Sequence, residues 1–153
     1  MHVQHDSTVI SSCLVKAVEN IFDNLNLPFF LGGSRRFRYD HSRSDTDLFV
    51  LVQDKQDEAV LVRCLGELSF MEKPKEIGYS MNPAFRLIMT LGSICHVVIL
   101  TSRMVYESIS EDHERVAHYV ASNPILQEFA RELGQIGVSG SHTYRALAKL
   151  SAR

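Results

Sequence analysis

The feature that most constrains the fold of this chain is a pair of glycines followed at short range by a pair of aspartates. The apolar run Phe29–Leu31 lies between a proline and the glycines, and this pattern predicts a short buried strand that ends in a turn. Glycine accepts positive φ angles and lets a ligand approach the backbone closely. The turn Gly32-Gly33-Ser34 can therefore offer backbone N–H groups to a phosphate.

Asp45 and Asp47 follow after ten intervening residues and begin a second predicted strand, residues 45–52. Residues two apart on a strand share a face, which places their Cα atoms about 6.6 Å apart. Two like charges on a half-buried strand are tolerated when a cation lies between them, and Mg²⁺ prefers one or two carboxylates with phosphate oxygens. Taken alone, Asp-x-Asp also fits a loop end and an exposed sheet edge, but the neighbouring glycine turn favours a metal site.

The stretch between the turn and the aspartates, residues 34–44, is the most basic in the chain. It carries one histidine, one aspartate and four arginines, namely Arg35, Arg36, Arg38 and Arg43. Such a stretch is either a solvated loop or an anion-binding loop. Its position between a glycine turn and paired carboxylates favours the anion-binding interpretation.

Hydrophobic periodicity predicts two helices that cover these strands, at about residues 7–25 and 57–68. Asp6 or Ser7 is the predicted N-cap of the first helix, and Asp57 that of the second. From residue 102 onward the pattern is helical again. Separate helices are predicted at residues 102–109, 110–123, 125–133 and 141–150, the last capped by Ser141.

A β-hairpin is predicted between the second helix and the C-terminal helices, with strands at residues 85–91 and 94–100. A further short strand is predicted before it, at residues 76–79. The second hairpin strand is almost wholly apolar, which is typical of a central strand covered on both faces, and only His96 interrupts it. A lone histidine in such a strand is more often a hydrogen-bonded core residue than a ligand.

Bulk composition excludes several classes of protein. The net charge of −2 gives no global basic field, so nucleic acid could be bound only through a local patch. No apolar run approaches the roughly 20 residues of a membrane-spanning helix, and the first residues lack the pattern of a signal peptide. The widely spaced Cys13, Cys64 and Cys95 predict reduced, buried thiols in a cytoplasmic protein rather than disulfides or structural zinc.

The order of these elements points to a known family through one compound motif. Leu31-Gly32-Gly33-Ser34, followed by Asp45-Thr46-Asp47-Leu48-Phe49-Val50, resembles the signature of the DNA polymerase β-type nucleotidyltransferase superfamily, and its minimal members in particular. The resemblance implies an α/β (α+β) fold with a small mixed central sheet and helices packed on it. It also implies a nucleotidyltransferase-like core at residues 1–109 and a C-terminal helical extension at residues 110–153, packed as one compact unit.

The resemblance further implies an activity, the metal-dependent transfer of a nucleoside monophosphate from an NTP. ATP is the expected nucleotide, and the acceptor would be a hydroxyl of a protein, an RNA or a small molecule. Asp45 and Asp47 would be catalytic and would bind Mg²⁺, with Mn²⁺ as a second candidate. Gly32, Gly33 and Ser34 would bind the triphosphate, and the four arginines of residues 34–44 would neutralise its charge.

One position departs from the pattern of the family. Active members usually supply a third carboxylate from the neighbouring central strand, and here that position falls near His96, with no Asp or Glu between Ile77 and Thr101. Three interpretations follow: His96 binds the metal, another carboxylate completes the site, or the third ligand is lost. Loss would leave a catalytically degenerate module that binds nucleotide or a protein partner, in a regulatory or toxin–antitoxin-like role.

Overall fold

The computed structural model describes residues 3–42, 44–68, 75–78, 87–92 and 94–153. The six helices described are α1 (Val3–Asn24), α2 (Gly33–Phe37), α3 (Lys55–Gly66), α4 (Arg103–Ala121), α5 (Pro124–Gln135) and α6 (Gly140–Ser151). The five strands are β1 (Phe29–Gly32), β2 (Thr46–Leu51), β3 (Lys75–Gly78), β4 (Leu87–Leu91) and β5 (Cys95–Leu100). Four residues of predicted features lie outside the described part of the chain: Arg43 of the basic stretch, Tyr79 of the short strand, and Phe85 and Arg86 of the first hairpin strand.

The strands form one mixed sheet in the order β1-β2-β5-β4-β3, which confirms the predicted α/β (α+β) class with a mixed sheet. Only β2 and β5 run parallel; the other three pairs are antiparallel. β5 lies at the centre, as its apolar sequence predicts. β1 was expected to be buried, but it lies at the sheet edge, where Leu31 is 37% exposed.

One face of the sheet carries the main hydrophobic core. Leu48 and Val50 of β2 and Val97 and Ile99 of β5 are buried there, because alternate residues of a strand point to the same face. They pack against wholly buried residues of α1 and α3, which include Val18, Phe22, Leu61 and Leu65. Burying each such side chain contributes roughly 1.5–3 kcal/mol, so this face supplies much of the stability.

The C-terminal helices cover the opposite face and also enclose α2. Phe49, Val98 and Leu100 of the sheet pack under Val105, Tyr106 and Ile109 of α4. A further apolar cluster joins α2 and the loop after it to α4, α5 and α6, through Phe37, Tyr39, Val116, Val120, Ala130 and Leu147. The short helix α2 is therefore held between the sheet and the C-terminal helices.

Helix α4 differs from the prediction of two separate helices at residues 102–109 and 110–123. It is one helix, because Ile109, His113, Val116 and Val120 continue a single inward stripe past Ser110. Ser102 is its N-cap, since the Ser102 hydroxyl accepts a hydrogen bond from the Val105 N–H at 3.3 Å. The predicted boundary between residues 109 and 110 falls inside this helix, so the division into core and extension stays a prediction.

Several local predictions are also corrected. Helix α1 begins four residues before Ser7, and α3 is capped by Asp54, whose Oδ1 accepts from the Asp57 N–H at 2.8 Å. The last helix has Ser139 rather than Ser141 at its N-cap position.

The three cysteines were predicted to be buried thiols, and only one of them is. Cys13 is exposed, Cys64 is half-buried and Cys95 is buried; all three are free. Burial, with the nearby Asp47 charge, raises the pKa of the Cys95 thiol to about 12. Within the described residues, no helix combines the length and the apolar character that crossing a bilayer requires.

Candidate metal and nucleotide site

A polar row crosses the sheet at the start of the parallel strands. Gly32, Asp47, His96 and Thr90 are consecutive partners in the register of β1, β2, β5 and β4. Cross-strand partners share a face, so these residues line one side of the sheet. The next row on the same side is apolar and lies toward α4; its members are Phe30, Phe49, Val98 and Ile88.

His96 connects the two aspartates predicted to bind metal. Its Nδ1 lies 3.0 Å from Asp45 Oδ2 and 3.3 Å from Asp47 Oδ1. One potential ligand atom from each of the three residues lies within 4.8 Å of the other two. The three side chains are each about one-third exposed, so the group is open to an incoming ion or ligand. Within the part of the chain that the structure describes, no other cluster of this kind occurs.

The electrostatics of the group follow from these contacts. The hydrogen bonds that His96 donates to Asp45 and then to Asp47 raise the pKa of His96 to about 10, against the opposing effect of burial. Burial alone would raise the pKa of Asp45, but the hydrogen bond and positive charge of His96, helped by Arg35, bring it below its usual value. The residue at the expected third-carboxylate position thus acts as a cation between the two carboxylates.

The two glycines of the turn have different partners. Gly33 has a φ of +69°, and a Cβ added there would overlap Asp47 Oδ2. A Cβ on Gly32 would instead lie 2.5 Å from Phe49 Cε2 and 2.9 Å from His113 Nε2. Gly33 therefore allows the turn to reach the aspartate, and Gly32 allows β1 to pack on an aromatic cluster.

The predicted nucleotide-binding arginines lie in three different settings. Arg35 pairs with Asp40 at 3.4 Å and donates to the Ser44 carbonyl at 2.7 Å, so it stabilises the loop of residues 38–44. Arg36 donates to the Leu31 carbonyl at 3.1 Å and lies over the Phe30 ring. Arg38 is exposed, and Arg43 falls outside the described residues.

Helix α5 contacts the same loop through residues that sequence analysis did not single out. Gln127 Nε2 donates to the Phe37 carbonyl at 3.2 Å. One turn later, the Arg131 guanidinium donates to the carbonyls of Arg38 at 2.6 Å and Asp40 at 3.2 Å, and it pairs with Glu128. The i, i+4 spacing of Gln127 and Arg131 is visible in the sequence, but their partners about 90 residues earlier are not.

We expect Arg131→Met to loosen the loop of residues 38–44. Methionine keeps an apolar stem but removes both hydrogen bonds to the loop carbonyls. Backbone amides of residues 38–42 and 44 should exchange with deuterium roughly tenfold faster, a local loss of about 1–2 kcal/mol. Arg145→Met, at an exposed position of α6, is the matched control and should leave exchange in the loop unchanged. Equal exchange in both variants would show that Arg131 does not order the loop.

His113 of α4 lies at the centre of an aromatic cluster behind the glycine turn. It is 5% exposed, and its ring contacts those of Phe30, Phe37, Phe49 and Tyr144, with centroids 4.7–5.5 Å apart. Its Nδ1 is 2.9 Å from the Ile109 carbonyl, which it reaches as a donor when that nitrogen carries hydrogen. The sequence analysis did not identify this role, because a histidine on a helix shows nothing of its tertiary neighbours.

The fold is similar to those of solved structures. A structure of the GLD-2/RNP-8 complex matches with a TM-score of 0.52 at 13% identity, over 95% of this chain and 56% of that one. The conserved protein GrpB from Enterococcus faecalis matches with a TM-score of 0.60 at 14% identity, over 99% of this chain and 93% of that one. The chain has a nucleotidyltransferase-like fold. It spans just over half of the GLD-2/RNP-8 chain that it matches.

A third structure is more distant. Terminal uridylyl transferase 4 from Trypanosoma brucei, with bound UTP and UpU, has a TM-score of 0.44 at 14% identity, over 92% of this chain and 48% of that one. No protein-family model and no curated protein matches the sequence. At such identities the similarities show the fold alone, so activity has to be argued from the site.

The site residues of this nucleotidyltransferase-like fold suit a divalent cation. Asp45 and Asp47 supply two carboxylates, and the glycine at position 33 leaves Asp47 the space that a Cβ would fill. His96 adds a nitrogen donor at the expected third position. The buried hydroxyl of Thr90, the cross-strand partner of His96, makes no hydrogen bond among the described residues.

Proposed function

We propose that this protein is a metal-dependent nucleotidyltransferase that moves a nucleoside monophosphate from an NTP to a hydroxyl of a protein, an RNA or a small molecule. The observation that carries the proposal is the convergence of Asp45, Asp47 and His96 beside the Gly33 turn, on a nucleotidyltransferase-like fold. ATP is the nucleotide we expect. The three free thiols fit a cytoplasmic location.

Each part of the site has a role in this proposal. Gly33 and Ser34 form the first turn of α2, where backbone N–H groups have no partner within the helix and can donate to triphosphate oxygens. Arg36 and Arg38 neutralise phosphate charge, whereas Arg35 supports the loop. Asp45 and Asp47 hold the cation, Mg²⁺ or Mn²⁺.

Positioning is the main contribution of the protein to such a reaction. A bound divalent cation would offset phosphate charge and favour departure of pyrophosphate. Asp47 lies in β2, next to the central strand β5, and Asp45 directly precedes β2. Because β2 is buried on its other face, the rigid sheet holds Asp47 and anchors the residue before the strand. The contacts of α5 with residues 38–44 extend that support, and we propose this as one role of the C-terminal helices.

The test is transfer of label from each α-³²P NTP to protein, RNA and small-molecule fractions of a cell extract, with Mg²⁺ or Mn²⁺. We expect transfer with the wild type and its loss in Asp45→Asn/Asp47→Asn, which keeps side-chain shape but removes both charges. Glu111→Ala/Glu114→Ala, at two exposed acidic positions of α4, is the matched control and should transfer like the wild type. Transfer that survives the double asparagine variant would refute the proposed site.

A second function is favoured by one contact. Because His96 already pairs with both carboxylates, the chain could be a degenerate module that binds nucleotide or a protein partner without turnover, in a regulatory or toxin–antitoxin-like role. Metal-dependent binding of an NTP without any label transfer, abolished in Asp45→Asn/Asp47→Asn, would select this alternative.

A further inference from the structure

We propose that His96 Nδ1 is itself a metal ligand, and that this nitrogen makes the site select a first-row transition ion such as Mn²⁺ over Mg²⁺. The inference rests on the proposed function, because it names the ion of that same site. It is carried by the separations of three side-chain atoms and by the chemistry of the donor set.

The separations match those of neighbouring ligands around one small cation. Two donors about 2.1 Å from an ion and at right angles to each other lie about 3.0 Å apart, and tetrahedral donors at about 2.0 Å lie about 3.3 Å apart. The observed distances from His96 Nδ1 are 3.0 Å to Asp45 Oδ2 and 3.3 Å to Asp47 Oδ1. Hydrogen bonds have the same N···O distances. A bound ion would therefore replace the hydrogen on Nδ1 between the two carboxylates.

The sheet keeps the nitrogen at this place. Asp47 and His96 are direct partners on the parallel strands β2 and β5, and both strands continue into the buried core. The backbones of these residues therefore cannot separate without disrupting the centre of the sheet. An ion bound by both carboxylates would lie within reach of the imidazole, since the three ligand atoms are within 4.8 Å of one another.

The donor set then favours one class of ion. Mg²⁺ is a hard cation that takes oxygen ligands, whereas imidazole suits transition ions such as Mn²⁺, Co²⁺ and Zn²⁺. A three-carboxylate site offers Mg²⁺ only oxygens, but this site replaces one of them with nitrogen.

The test measures metal binding directly, with the whole metal-free chain and no nucleotide. The fraction of free Mn²⁺ is read from its electron paramagnetic resonance signal, and Mg²⁺ is added as competitor. Spin-echo modulation of bound Mn²⁺ detects a coordinated ¹⁴N, and ¹⁵N-histidine labelling confirms that it comes from imidazole. For the wild type we expect nitrogen modulation and an affinity for Mn²⁺ about 100-fold above that for Mg²⁺.

Three variants make the test specific. His96→Asp should remove the nitrogen signal and lower the preference for Mn²⁺ to about tenfold or less. Since three adjacent carboxylates can impair folding, His96→Asn is the second variant; it supplies a neutral oxygen donor and should also lose the nitrogen signal. His118→Asp makes the same change at an exposed histidine of α4 and should bind like the wild type. Circular dichroism establishes that each variant is folded.

The outcomes separate this inference from the proposed function. Bound Mn²⁺ without nitrogen modulation, or an unchanged preference in His96→Asp, would overturn the role of His96 and leave the nucleotidyltransferase proposal intact. No binding of Mn²⁺ to the wild type at millimolar concentration would overturn the inference as well. Label transfer with Mg²⁺, measured separately, would then decide the proposed function by itself.

Discussion

Gly33→Ala should lower label transfer by about 100-fold or more and destabilise the protein by about 1–3 kcal/mol. The loss of stability arises because alanine is strained at a φ of +69°. The loss of transfer arises because the new Cβ would overlap Asp47 Oδ2, so the carboxylate must move away from Asp45 and His96. Urea denaturation measures the first effect, and Mn²⁺ binding together with label transfer measures the second.

Gly92→Ala is the control that separates these two effects. Gly92 lies between β4 and β5 with a φ of +60°, and a Cβ there would meet nothing within 4 Å in the described part of the chain. This variant should therefore show a similar strain but keep metal binding and transfer. If Gly33→Ala binds Mn²⁺ as well as Gly92→Ala does, the close approach of the turn to Asp47 has no role in the site.

His113→Ala should lower the free energy of unfolding by about 3 kcal/mol, the range found when a buried aromatic ring is truncated. The substitution leaves a cavity among Phe30, Phe37, Phe49 and Tyr144 and removes the contact with the Ile109 carbonyl. Because this cluster supports the glycine turn, transfer should fall too. His118→Ala, at an exposed position on the same helix, should change stability by less than about 0.5 kcal/mol. A small loss in both variants would show that the cluster does not stabilise the fold.

The same histidine makes stability depend on pH. Burial lowers the pKa of His113 below its usual 6.5, outweighing the hydrogen bond to the Ile109 carbonyl, which raises it. Below pH 6.5 the unfolded chain takes up a proton that the folded chain resists, so the contribution of neutral His113 is lost as the pH falls. His113→Phe keeps the volume of the ring but cannot titrate. As the pH is lowered from 8 to 5.5, the unfolding free energy of the wild type should therefore decrease relative to that of His113→Phe. A constant difference between the two proteins would contradict the assignment.

Local patterns in the sequence were sufficient for much of the fold. The Gly-Gly-Ser turn, the alternating residues after Asp45 and the apolar run around His96 each depend on neighbours within a few residues. Chain stiffness and side-chain periodicity act over that same range. The predicted strands at these places are therefore found in the structure, and the two aspartates lie where the motif predicted.

Such local patterns do not determine which strands pair or in which register they pair. The sequence showed a histidine where an acid was expected, but only the register of β2 with β5 places His96 between both carboxylates. Register depends on burying Leu48, Val50, Val97 and Ile99 together, which is a property of the whole core.

The sequence by itself determined the local elements around Gly33, Asp45 and Asp47, because they depend on one short segment. The fold class was implied by the family resemblance that this motif carries. The tertiary structure alone decided that α4 is continuous, that Arg35 supports the loop and that Arg131 reaches back from α5. It also decided that His113 packs behind the turn. Each of these depends on contacts between segments far apart in the chain, and such contacts form where packing of the complete core has the lowest free energy.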